Sequence, residues 1–338
     1  AELYYKLRDR DYDTPRDGYQ YIRGDGDDQP QSAFTVYNTA NDLTQQTVGA
    51  EATWRTREFG RIGFEYAYEK VERRNAAVEE TEEDRYTLSY RVRPLDTLHA
   101  RLQFMFADRA ADTYQWDQYY FALLDTQLIN ATPDTQRYIN HPQLFQYYLA
   151  NRERYESKAN VTYLPAAHWT VNLDLTWQYD DYDKSDLGLT ESEWIRSHVS
   201  FTYSAATDWS ASAYLGYDRY DGNQRSRSFR GGQEKNAFAI YPPLPQASDP
   251  QQDWELDATD HAVTLGATVT WLATPDLEFE VDYNYVDTRS EQELYTRPGA
   301  STQASDRPDV DTTRHQLRAS GLWHWREDVS LRLDYQYF

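Results

Sequence analysis

The residues that could do chemistry in this chain are strung out at every second position instead of being gathered at one point. Asn172, Asp174, Thr176 and Gln178 alternate with Val171, Leu173, Leu175, Trp177 and Tyr179, a spacing of two that puts polar groups on one face of a strand and apolar groups on the other. Arg85, Thr87, Ser89, Arg91 and Arg93 alternate with Tyr86, Leu88, Tyr90 and Val92. Glu278, Glu280, Asp282 and Asn284 alternate with Phe279, Val281, Tyr283 and Tyr285, and Arg101 and Arg332 sit in rows of the same kind. Such rows can hold water, ions or the polar surface of another protein. They do no covalent chemistry alone, because a nucleophile needs a base within hydrogen-bond reach.

Discrete catalytic and metal signatures are weak. The 7 His show neither H-E-x-x-H nor a pair four residues apart, so interface or polar-face roles are expected for them over metal ligation. No G-x-S-x-G occurs, and no enzyme activity is expected. Asp25, Asp27 and Asp28, with Asp181 and Asp183, could offer oxygens to Ca²⁺ in loops, but the second cluster lacks the glycine that an EF-hand requires at its sixth position. Solvated acidic loops are the simpler account. The chain has 0 Cys, which removes disulfides, thiolate metal sites, Fe–S clusters and the C-x-x-C-H attachment of a c-type haem. Any redox chemistry must then be carried by a partner.

The elements that position these rows are amphipathic strands. The stretch 169–183 carries Trp169 and Trp177 with Tyr179 at the two ends of its apolar face and Val171, Leu173 and Leu175 between. Rings at both interfaces with aliphatics in the middle describe a strand crossing a bilayer beside a wet lumen. The pattern recurs about a dozen times along the chain. Composition agrees, since 30 Tyr, 10 Trp and 12 Phe stand against 1 Met, a ratio suited to two interfacial girdles. Mean hydropathy is -0.91, and no apolar run approaches the roughly 20 residues of a spanning helix, so any crossing must use closed strands. A net charge of -22 argues against nucleic acid, whose phosphates need clustered Lys and Arg.

Alternation predicts about 13 antiparallel strands in one transmembrane β-barrel portion over 1–338. Turns of three to five residues, such as 94–97, 164–168, 204–208 and 272–276, take turns with long loops near 13–43, 110–152, 221–259 and 289–311. In outer-membrane barrels short turns face the periplasm and long loops the exterior, so the long loops are expected outside. A polar loop is also expected over 79–84 and another over 184–192. The last strand starts at a short turn and would end outside at Phe338, so the chain is expected to be a piece lacking at least one further strand.

Two loop segments carry a family resemblance. His141-Pro-Gln-Leu-Phe-Gln-Tyr-Tyr-Leu-Ala-Asn-Arg-Glu-Arg154 resembles the Asn-Pro-Leu-Leu…Leu-Ala-Asp-Arg segment that precedes a strand in the MtrB/PioB family of decahaem-associated outer-membrane barrels. Leu187-Gly-Leu-Thr-Glu-Ser192, one hairpin on, is similar to that family's loop at the same remove. His141 stands where the family has Asn, and Gln-Tyr-Tyr replaces a basic stretch. Family members are longer, with about 26 strands, and some begin with a cysteine pair that this chain lacks. The resemblance therefore implies the C-terminal half of a larger barrel. It also implies a job without catalysis: sheathing a periplasmic multihaem cytochrome, with haem c on that partner, so that electrons cross the outer membrane, often to an extracellular multihaem cytochrome.

On that expectation the polar, partner-facing wall carries Arg91, Arg101, Asp174, Thr176, Gln178, Glu278, Glu280, Asp282 and Arg332. The chain itself is expected to bind no cofactor beyond loop Ca²⁺, to contact outer-membrane lipid, and to avoid nucleic acid. A porin or solute channel is the main rival reading, and a soluble β-sandwich a lesser one, since sandwiches rarely sustain such one-sided aromatic rows.

Overall fold

The computed structural model describes residues 1–15, 17–22, 30–56, 60–115, 143–182, 184–205, 208–227, 249–300, 307–326 and 328–338. Among the described residues fifteen strands follow one another: β1 (Glu2–Arg10), β2 (Gly18–Ile22), β3 (Pro30–Tyr37), β4 (Leu43–Thr56), β5 (Gly60–Arg73), β6 (Glu80–Leu95), β7 (Leu98–Ala111), β8 (Arg152–Ala166), β9 (Trp169–Asp181), β10 (Gly188–Ser204), β11 (Trp209–Arg227), β12 (Asp253–Thr274), β13 (Leu277–Thr296), β14 (Val310–Arg326) and β15 (Val329–Tyr337). Among the described residues β2 and β3 pair only with each other, and the other 13 strands form one sheet in the order β1-β4-β5 through to β15. Every pairing within it is antiparallel. Among the described residues β1 and β15 each pair on one side, and not with each other.

Alternation along each strand and register across the sheet agree, so each face is continuous. Leu3 lies opposite Ala50, Phe64 opposite Leu88, Leu88 opposite Phe104, Ala159 opposite Leu175, and Leu215 opposite Leu265. The apolar face is not covered: Trp54 is 68% and Trp271 50% exposed, an arrangement that water penalises and hydrocarbon rewards. Its rings gather at two levels. Trp169, Tyr203 and Trp209 touch in series, with ring centroids 4.8 and 4.7 Å apart, at the short-turn end. Tyr66, Tyr86, Phe106 and Tyr155 follow one another, with centroids 5.2, 6.4 and 5.1 Å apart, at the other end. Ten strand steps from Trp169 to Tyr179, at about 3.3 Å each and tilted by about 40°, separate the levels by about 25 Å, the height of an outer-membrane apolar band.

Several strands run further than alternation of apolar residues predicts. The acidic run 79–84, expected as a loop, lies in β6 from Glu80 onward. Lys70 Nζ reaches Glu80 across to β6 at 2.8 Å and Glu72 on its own strand at 3.1 Å, so ion pairs stand in for apolar packing there. Likewise β10 begins at Gly188 inside the expected loop 184–192, β11 extends to Arg227 with β12 resuming at Asp253, and β13 reaches Thr296. Beyond the upper girdle the apolar row of these strands stops or, in β12, changes phase to Trp254, Leu256 and Ala258, so the period-two signal is interrupted while the pairing persists. The expected excursion 13–43 holds the β2–β3 hairpin, and β4 starts at its final residue, Leu43.

Candidate functional site

The polar face is where the site residues converge. Register puts Arg91 opposite Arg101, and Arg101 opposite Asn160, which lies opposite Asp174. Thr176 lies between Lys158 and Arg196, and Gln178 between Glu156 and Trp194. Glu280 lies opposite Thr270, Asp282 opposite Thr268 and Arg318, and Glu278 opposite Leu322, which faces Arg332. All nine residues expected on a partner-facing wall thus share one face, spread over β6, β7, β9, β13 and β15 and not gathered into a pocket. Asn160 Nδ2 donates to Asp174 at 2.6 Å, and Thr268 donates to Asp282 at 2.8 Å.

Tyrosines stiffen this face from within. Tyr214 lies over Gly266, where an added Cβ would stand 2.3 Å from the ring, and its hydroxyl meets the Asn284 side chain one strand further on. A residue with any side chain at 266 would push the ring into the open space before the sheet.

At the long-loop end the polar face closes into a cavity of about 510 Å³ whose lining includes Arg73, Glu83, Arg85, Arg109, Arg152 and Arg154. Glu83 accepts from Arg152 at 2.6 Å and from Arg85 at 2.7 Å, with Glu83 and Arg152 side chains 8% and 10% exposed. Arg154 grips Asp180 with two nitrogens, at 2.6 and 2.9 Å. Such forked, buried pairs hold charge in place only while every member stays. This cluster was hidden in the sequence by the loop reading of 79–84. The signal was present, because Thr81, Glu83 and Arg85 keep the phase of Thr87, Ser89 and Arg91.

Two loop segments dock above the cluster, and they include the described parts of the two family-like motifs. Leu144 bridges Leu187, the Phe145 amide donates to the Leu187 carbonyl at 3.2 Å, and Arg109 donates to the Ala150 and Tyr147 carbonyls at 2.9 and 2.7 Å. Leu149, Leu187 and Val78 are fully buried in this cap. Gly188 has φ +112°, and a Cβ there would lie 2.6 Å from the Phe145 carbonyl oxygen, so the glycine is what lets the two motifs meet. Arg152, at the end of the Ala-Asn-Arg run, carries the cap's position down to Glu83. Tyr182, buried beneath the cap, has its phenol pushed up by that burial.

Of the loop aspartates considered for Ca²⁺, Asp25, Asp27, Asp28 and Asp183 lie outside the described residues, as does His141. Asp181 ends β9 opposite Glu153 and Glu191. Among the described residues no group of three or more His, Asp or Glu is placed to hold a metal. His261 and His315 instead meet Tyr217 and Tyr283 hydroxyls at 3.1 and 2.9 Å near the upper girdle.

The family model for the outer membrane beta-barrel porin MtrB/PioB matches residues 3–337. Outer membrane protein MtrB of Shewanella baltica (strain OS185) is 23% identical over 303 residues, covering 89% of this chain and 38% of that protein. The chain therefore spans well under half the length of this curated relative. Among solved structures, the ferric-catecholate import receptor Fiu of E. coli K12 is similar at TM-score 0.49 and 10% identity, covering 87% of this chain and 52% of that one. The ferric citrate transporter FecA is similar at TM-score 0.48 and 10% identity, covering 88% and 42%.

Proposed function

The chain belongs to the MtrB/PioB family of integral outer-membrane β-barrels, and from that premise we propose that it forms wall for a barrel that houses a periplasmic multihaem c-type cytochrome. In this reading its role is to sheath, without catalysis, a chain of haems through which electrons cross the outer membrane. The observation that carries the reading is the continuous polar face of mixed charge across 13 strands, backed by an aromatic-bounded apolar face. Hydrocarbon rejects a soluble protein, whereas a wall of carboxylates, guanidiniums and hydroxyls can lie against one. Haem c would be bound by the partner's own cysteines, which agrees with 0 Cys here. The long loops face outside, toward an extracellular cytochrome where one is present, and the short turns face the periplasm.

A porin or solute channel is the second reading, favoured by the porin in the family's description. Purification from native outer membranes separates the two. A sheath brings down a haem-bearing protein and conducts few ions with it in place, whereas a porin purifies colourless and conducts alone in a planar bilayer.

A further inference from the structure

At the short-turn end of the polar face, four arginines stand directly across from one another on four consecutive strands. Arg55 of β4 lies opposite Arg61 of β5, Arg61 opposite Arg91 of β6, and Arg91 opposite Arg101 of β7. Arg93 and His99 extend the row along β6 and β7, and together these six line an open cleft of about 470 Å³ whose lining, among the described residues, includes no carboxylate. Directly opposed like charges destabilise a sheet, and this chain has carboxylates in excess, with a net charge of -22. At the other end of the same face the arginines are interleaved with Glu65, Glu69, Glu83 and Glu156. Few contacts neutralise the row. Arg101 donates to Gln103 at 3.0 Å, and Arg93 reaches only the fully exposed Asp96, at 3.3 Å. The side chains of Arg55, Arg61 and Arg91 make no hydrogen bond or ion pair among the described residues.

We propose that this row is the docking surface for carboxylates of the protein that lies against the polar face, gripping its periplasmic portion. The inference rests on the sheath reading and adds to it a place and a chemistry of contact. Guanidinium forks pair with carboxylates two bonds at a time, and four in a line at strand spacing suit an acidic strip. The occupant is a strip of acidic side chains on that protein, which four guanidiniums at strand spacing match; haem propionates present the same group and are the alternative that the test separates.

The test uses the full-length protein in its native host, comparing Arg61→Gln/Arg91→Gln/Arg101→Gln with unaltered protein and with Arg314→Gln, a charge control on the polar face of β14. Removing opposed charges should leave the folded, heat-shiftable fraction in outer membranes undiminished. Cytochrome retained on purification is then measured from about 0.15 to about 0.5 M salt, a range over which exposed pairs are screened. The triple variant should retain about tenfold less at the lower salt and lose its salt dependence, while Arg314→Gln behaves as unaltered protein. Unshifted haem potentials in the residual complex bear out side-chain carboxylates, and a shifted potential of one haem overturns them in favour of propionates. Equal retention by the triple variant and unaltered protein overturns the docking surface alone. Absence of haem from the unaltered protein overturns the sheath reading and the docking surface with it.

Discussion

Leu175→Arg tests the assignment of the two faces at its most sensitive point. Leu175 lies about midway between the two aromatic levels, opposite Ala159 on β8 and Ser197 on β10, and is 40% exposed on the apolar face. Its neighbours are small, so a guanidinium there would sit in hydrocarbon roughly 10–12 Å from either interface, beyond easy snorkelling. The expected cost is about 2–4 kcal/mol for Arg near the midplane, with about 1 kcal/mol more for the lost leucine contacts. That total corresponds to roughly two to four orders of magnitude in the folding equilibrium. Thr176, the next residue, is the control, but its surroundings decide which substitution serves. It stands between Lys158 and Arg196, so Arg there would oppose two like charges at about 0.2–1 kcal/mol each, whereas Glu would complement both. Urea titration of the full-length protein in lipid vesicles, followed by heat-shifted mobility, should rank Thr176→Glu near the unaltered protein, Thr176→Arg below it and Leu175→Arg far below. Leu175→Arg folding as well as the unaltered protein, or Thr176→Glu failing as badly as Leu175→Arg, would refute the in/out assignment.

Glu83→Gln should cost about 3–5 kcal/mol, because Arg152 and Arg85 lose the carboxylate they share; limited proteolysis near residues 143–151 should accelerate as the cap loosens. Gly266→Val should displace Tyr214 and break its contact with Asn284 at about 1–3 kcal/mol, read as a lower urea midpoint without loss of membrane insertion. Because the chain is free of cysteine, Pro298→Cys and Pro275→Cys can report topology: an impermeant maleimide should label the first on intact cells and the second only after permeabilisation, and the reverse pattern inverts the orientation. The Tyr12 amide and Arg74 hold the Asp42 carboxyl below its ordinary range. A depressed carboxylate contributes stability above its unfolded pKa and loses it as pH falls through the folded one, so acidification should raise amide exchange at Tyr12, and Asp42→Asn should remove that pH dependence.

Much of the sheet was legible because membrane strands write both faces into the sequence. Where apolar residues recur at every second position, as over 169–181 or 277–285, strand, face and phase follow directly. Legibility failed where strands leave the bilayer. Over 80–84 and 219–227 polar residues fill nearly every position, so the alternation is lost, and over 253–260 it is inverted, with Trp254, Leu256 and Ala258 in the phase that Thr264, Gly266 and Thr268 hold lower down. The nine polar-face positions followed from phase alone. Their energetic inequality did not, because it depends on cross-strand partners: Arg91 meets another arginine, while Glu83, equally polar on paper, is clamped by two. The meeting of residues 144–145 with 187–188 is a contact between loops, and only the folded chain places one upon the other.

The length of β12 and β13, 22 and 20 residues, bears on what can approach this wall from its long-loop end. Beyond the upper aromatic level their extensions, 253–260 and 287–296, carry seven carboxylates and one arginine, and β11 offsets two of the carboxylates, Arg227 pairing with Asp253 and Arg225 with Glu255, so an acidic excess remains. At about 3.3 Å per residue and a tilt of about 40°, the extensions stand roughly 20 Å above the apolar band. Screening decays over about 8 Å at physiological salt, so the collar is more than two decay lengths tall. An anion drifting toward the opening is thinned out, and a cation enriched, before either touches a side chain. On this side of the molecule the first filter on an arriving molecule is therefore the sign of its charge, exerted at a distance by a stretch of sheet that touches no lipid.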